Sequence, residues 1–253
     1  MTSPAHAPAA AGPRTSWRRR WVLFNLLMAL FALIWVTVHN IFWGTPPPPD
    51  QEPGLFPERF SAAERLADQF SYFTVWSATL VALAMALILV RPGTRSRVIR
   101  VLHLTSLVMI TITGLVYWTM LAATSTDLLS VGNLSLHLFT PVVTLLTWLV
   151  AGPAGWLELR LLPGILVVPA LWLVFTFVRG AILGVYPYGF INLVRVELGE
   201  VVRFVAQVLG VAVVLGAAYC LIDRVLPGRA RARAGRIIRA VTERTPVGRR
   251  TTE

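Results

Sequence analysis

Six stretches of this chain are long, apolar and almost free of charge, and they limit what it can fold into more than any other feature. They cover residues 21–43, 69–90, 101–123, 130–151, 161–178 (extending toward Arg179) and 204–222. A helix needs about 20 apolar residues to cross a hydrocarbon layer of ~30 Å. Lipid cannot satisfy backbone polar groups, so only helices and closed barrels span it, and these runs lack the two-residue alternation of a barrel. The connections are too short for a second packed domain. The expected fold is all-α, a polytopic membrane protein built as one six-helix bundle over residues 21–225. A basic, disordered cytoplasmic arm (1–20) is expected before it and a basic cytoplasmic tail (226–253) after it. Only 14% of the 253 residues are charged, against about 25% in soluble domains. A water-soluble globule, a disordered chain and a collagen are excluded, and the single Cys220 excludes a disulfide scaffold or a cysteine-based metal cluster.

All 23 basic residues are arginines, and they are unevenly placed. Eighteen lie on the side of the two termini, and five (Arg59, Arg65, Arg179, Arg195, Arg203) on the other. The positive-inside rule then puts both termini in the cytoplasm. Arg14, Arg18, Arg19 and Arg20 before an apolar run imitate an export signal. The run continues uncharged to Pro49 without a small-residue cleavage site, so it is read as a retained first helix. The net charge of +11 is read as orientation plus attraction to anionic lipid headgroups, and the arginines of 229–250 as an anchor to them, not as a nucleic-acid surface. In the connection 44–68, the run Pro46 to Pro49 predicts a stiff, extended start.

Function in such a bundle is sought among polar groups inside the membrane, because each is costly without a partner. No Asp or Glu lies in the middle of any span, which argues against a proton relay or a cation-coupled transporter. His137 sits in the fourth span with Asn133 four residues before it and Thr140 three after, all on one helical face. Ser71, Thr74 and Ser77 form a similar stripe in the second. Both helices enter from the same side, so Thr74 and His137 lie about 9 and 10 Å deep at 1.5 Å per residue. A hydroxyl and an imidazole at one level are what a nucleophile and its base require. The bland readings are a threonine bonded back to its own helix and a packing histidine. His39 and His103 lie near opposite surfaces.

A third feature follows the fifth span. Residues 180–194 carry no charge, are broken by Pro187 and Gly189, and include Tyr186 and Tyr188. Too short to span, the stretch is expected to cap the outer side, either as an aromatic belt or as a substrate lid. Arg179 at its start is read as a snorkelling arginine or as an anchor for a substrate carboxylate. Gly180 and Gly184 have the spacing of a helix-contact motif.

Taken together, Tyr72-Phe73-Thr74, the segment 133–141 around His137, and Tyr186-Pro187-Tyr188 resemble the androgen-induced and androgen-dependent TFPI-regulating protein family, in particular its bacterial six-helix branch. The resemblance covers about residues 20–225. It implies a multi-pass cell-membrane enzyme, without cofactor or metal, that hydrolyses lipid esters; animal members act on fatty acid esters of hydroxy fatty acids. By that resemblance Thr74 is the nucleophile and His137 its general base. Ser71, Asn133, Thr140, Arg179, Tyr186 and Tyr188 are the residues expected around the substrate. Leu134 and Leu138 stand where animal members have a second histidine and a threonine, and Gly189 and Asn192 also depart from the bacterial pattern.

The chemistry leaves two roles open: the group that orients His137 (Asn133, Thr140 or a backbone carbonyl) and the oxyanion donors (with Trp118 and Ser71 at the right level). Two other functions fit the same residues. One is a non-catalytic lipid-binding or scaffold protein. The other is a b-type haem protein ligated by His39 and His137.

Overall fold

A computed structural model describes residues 13–44, 51–94, 96–125 and 127–226. The first twelve residues, the proline run 46–49 and the arginine-rich tail 229–250 lie outside them. Six helices are long and apolar enough to span a membrane: α1 (Pro13–Phe42), α3 (Phe73–Val90), α4 (Arg97–Leu121), α5 (Val131–Ala151), α6 (Leu159–Leu183) and α7 (Leu198–Val225). A short helix, α2 (Ala62–Gln69), lies between the first two. Among the described residues there is no strand, only one isolated bridge between Leu55 and Tyr186. The chain is an all-α, six-span membrane protein.

Helix ends differ from the apolar runs where polar residues extend a helix beyond the lipid. α1 begins at Pro13, eight residues before the apolar run, so residues 13–20 of the expected disordered arm are helical. Proline suits a first turn, whose N–H groups need no helical partner, and arginine is a good helix former. α7 likewise starts at Leu198 instead of 204. The second span starts later than expected. Residues 62–69 form α2, capped where the Ser61 hydroxyl accepts from the Glu64 amide at 3.2 Å. The chain then turns through Ser71 and extends at Tyr72 before α3 begins. Thr74 is therefore the second residue of its helix.

The centre of the bundle is α3, α4 and α5. Their apolar windows are 56%, 67% and 50% buried within the protein, against 22% for α1, 28% for α6 and 22% for α7. α1 packs on α3 and α5 through Ala29 and Ala32, whose small side chains let the helices approach Ala78, Val81 and Met85. α7 packs on α4 through Ala212, in a cluster with Val108 and Ile165. Outward-facing Leu27, Ile34, Leu83, Val174 and Val214 are exposed, as contact with lipid tails requires.

Buried hydroxyls and amides tie helices together. Thr144 donates to Asn25 Oδ1 (3.0 Å), and Thr113 donates to Ser77 (2.9 Å). Such bonds satisfy groups that would otherwise face hydrocarbon.

The end of the bundle that carries few arginines is roofed by residues 51–72 and 184–197. The Tyr186 amide donates to the Gly54 carbonyl (2.7 Å), and Asn192 Nδ2 to the Pro53 carbonyl (2.8 Å). Gly54 has φ +82°, a conformation a side chain would strain. Asp68, buried between α2 and α6, pairs with both Arg179 and Arg59. Gly180 is not a helix-contact site: its bare Cα receives the Tyr186 ring, and Gly184 ends α6 in the left-handed conformation.

Candidate functional site

Thr74 and His137 meet under this roof. Thr74 Oγ1 lies 3.2 Å from His137 Nε2, across the contact between α3 and α5. The second nitrogen, Nδ1, lies 3.2 Å from the Asn133 carbonyl. A carbonyl can only accept, so Nδ1 carries the proton and Nε2 presents its lone pair to the threonine hydroxyl. Of the three candidates for orienting the ring, the backbone carbonyl of Asn133 is the one in contact. Its side chain is used elsewhere, donating to Asp127 Oδ1 (2.7 Å) and the Asp127 carbonyl (3.0 Å).

The helices are wound irregularly at this level. α5 widens into a π turn over Ser135–Phe139, with His137 at its middle. α4 ends in another, Tyr117–Leu121. The Tyr117 ring stacks on the imidazole, and its hydroxyl donates to Ser125 (3.3 Å). Sequence reasoning passed over Tyr117, which reads as one more interfacial aromatic. It passed over Asp127 too, a short-loop acid whose role comes through Asn133.

The other expected residues divide into those facing the pair and those occupied in structure. Tyr188 faces it. Its hydroxyl accepts from the Phe73 amide at 3.1 Å and lies against Thr74. Burial pushes the Tyr188 phenol up to about 12, so it stays protonated at neutral pH. Tyr186 is buried against Gly180, and Thr140 is buried with its hydroxyl on the Ser135 carbonyl (2.7 Å). Ser71 accepts from Arg179 (3.1 Å), and the Arg179 guanidinium also pairs with Asp68 and lies 5.0 Å over the Phe56 ring. Trp118 donates to the His137 carbonyl (2.9 Å). Ser71 and Trp118 are thus both engaged within the protein. His39 packs on Trp43, and both nitrogens of His137 already have partners.

Two spaces open on the pair. A cavity of about 70 Å³ lies between α3–α4 and α6–α7, lined by Ile112, Val116, Trp172, Phe204 and Val208 among others. A larger vestibule of about 690 Å³ lies under the roof, bordered by Asn40, Arg59, Arg65, Asp68 and Gln69. Thr74, Tyr117, Leu121, His137 and Tyr188 line both. The pair therefore sits where an apolar compartment meets a polar one. No protein-family model, curated protein or solved structure matches the chain.

Proposed function

We propose that this integral membrane protein hydrolyses lipid esters, with Thr74 as nucleophile and His137 as general base, and that it stands with the androgen-induced and androgen-dependent TFPI-regulating proteins it resembles. The observation that carries the reading is the 3.2 Å contact between Thr74 Oγ1 and a His137 Nε2 whose partner nitrogen is bonded to the Asn133 carbonyl. Threonine is a weak nucleophile on its own and needs a positioned base. An interhelical hydroxyl–imidazole contact beside an apolar cavity and a polar vestibule supplies the base, a place for the lipid and a route for water.

In the reaction, Thr74 Oγ attacks the ester carbonyl and its proton passes to His137 Nε2. The tetrahedral intermediate collapses, the bond to the alkoxy oxygen breaks, and that oxygen takes the proton from His137 and leaves as the alcohol. Water then attacks the acyl-threonine and gives a proton to His137. The bond to Oγ breaks, Oγ recovers the proton, and the carboxylic acid departs. The Asn133 carbonyl stabilises the imidazolium in both halves. The Tyr188 hydroxyl, which lies against Thr74, is a side-chain donor within reach of the reacting atoms and serves the oxyanion. The arginine bias supports a site at the outer leaflet of the cell membrane, within reach of lipid.

The test is labelling of the purified protein by a fluorophosphonate probe for serine and threonine hydrolases. Wild type should be labelled, and Thr74→Ala and His137→Ala should not. Equal labelling of both variants would overturn the assignment.

A further inference from the structure

We infer that the site divides its substrate, the acyl half entering the apolar cavity between α4 and α7 and the alcohol half the vestibule, with Ala212 setting the longest acyl chain accepted. This rests on the hydrolase reading of Thr74 and His137, and it names the substrate class: esters of a short, unbranched acyl chain with a polar alcohol.

The first support is the order of bond breaking. After the alcohol leaves, the acyl group is still bonded to Thr74, and water must reach its carbonyl from the side of His137. The alcohol must therefore leave the space through which water arrives. Of the two compartments on the pair, the one bordered by Asn40, Arg59, Asp68 and Gln69 suits water and a polar leaving group. The acyl chain stays where it gains by being out of water, in the compartment lined by Ile112, Val116, Trp172 and the α7 side chains. The reverse arrangement would hold an acyl chain against buried charges while water crossed an apolar slot.

The second support is the shape of the apolar compartment. Phe204, Val208 and Ala212 recur every fourth residue on one face of α7 and line its wall. Eight residues at 1.5 Å each make this wall about 12 Å long. At its far end Ala212 packs in a continuous cluster with Val108, Ile112 and Ile165. The cavity's volume of about 70 Å³ suits a short acyl chain such as butanoyl, since ~30 Å³ is the liquid share of one water and a methylene takes about as much. An octanoyl chain must emerge between helices. Ala212 is 2% exposed and carries the smallest side chain lining the cavity, so it is where added bulk takes up most of that volume.

The experiment measures kcat/KM of the detergent-solubilised full chain on methylumbelliferyl acetate, butanoate and octanoate, and on the matching glycerol monoesters. Wild type should prefer butanoate in both series. Ala212→Phe should lower the butanoate-to-acetate ratio about tenfold, the scale on which a pocket discriminates one or two methylenes. Val208→Ala, which widens the wall and does not fill the cavity, should raise the octanoate-to-butanoate ratio, and it decides the matter if Ala212→Phe does not fold. Unchanged ratios in the folded variants, or a preference that follows the alcohol instead of the acyl chain, would overturn the division while leaving the hydrolase intact. No turnover of any ester by wild type, with no probe labelling, would overturn the hydrolase reading and this inference with it.

Discussion

The Tyr117 ring lies flat on the His137 imidazole, with centroids 3.8 Å apart and planes 12° from parallel. A histidine held at one nitrogen by the Asn133 carbonyl can still swing about that bond. A stacked ring on its face removes the swing and keeps Nε2 directed at Thr74. Tyr117→Ala should slow fluorophosphonate labelling about tenfold, since small misplacements of a base are costly. Tyr117→Phe keeps the stack, loses only the bond to Ser125, and should label at close to the wild-type rate.

The Thr74 hydroxyl is expected to matter for chemistry far more than for folding. Thr74→Ser should retain measurable labelling and Thr74→Val should have none. The thermal midpoint of Thr74→Val in detergent should move little, because one hydrogen bond contributes about 1 kcal/mol net. Loss of folding together with loss of labelling in Thr74→Val would mean the residue is structural.

The Asp68–Arg179 pair should be a principal fastener of the roof. Breaking a buried ion pair by removing one partner costs about 3–5 kcal/mol. Asp68 also holds Arg59 (2.9 Å), so Asp68→Leu takes the carboxylate from both arginines and leaves Arg59 only the longer contact to Glu64 (4.0 Å), whereas Arg179→Leu leaves Asp68 with Arg59. Thermal unfolding should rank Asp68→Leu as the less stable, and the double variant should recover part of the loss.

Gly180 and Gly199 offer a matched comparison. A methyl group at Gly180 would overlap the Tyr186 ring, while nothing lies within 4 Å of one at Gly199. Gly180→Ala should destabilise by about 1–3 kcal/mol, the usual range for overpacking. Gly199→Ala should be neutral or slightly stabilising. Melting curves of the two variants test this.

Alkaline pH should loosen the roof. Burial pushes the Tyr188 phenol from 10.0 up to about 12 and raises Tyr72 as well. Between those values the unfolded chain has lost a proton that the folded protein keeps. The stabilisation is thus complete below the unfolded pKa and disappears as pH rises through the folded one. Thermal midpoints should fall above pH ~10, and less steeply in Tyr188→Phe.

Much of the fold was legible because membrane thickness, not tertiary detail, sets the length of an apolar run. The ends were less so. Residues 13–20 are helical although charged, since a helix need not stop where lipid does, and the break at Phe70–Tyr72 is hidden within an apolar stretch. The meeting of Thr74 with His137 could be anticipated from depth alone, as both helices enter from one side. What stacks on the imidazole could not, because Tyr117 faces it only through the winding of α4 near its end. Asp68 and Arg179, 111 residues apart, each read as an ordinary interfacial charge. Arg179 is neither reaching for headgroups nor left free; it is bound to Asp68 and Ser71.

The wide turn at Ser135–Phe139 has a consequence for how this protein tolerates change. It holds one amino acid more than a regular coil would, so deleting a residue there could tighten the winding and still leave a segment able to cross the bilayer. The turns on either side would keep their faces, and only the side chains within the wide turn would shift, by up to one residue's step of about 100°. The imidazole would then point away from the threonine, in a molecule that otherwise inserted, folded and melted much as before.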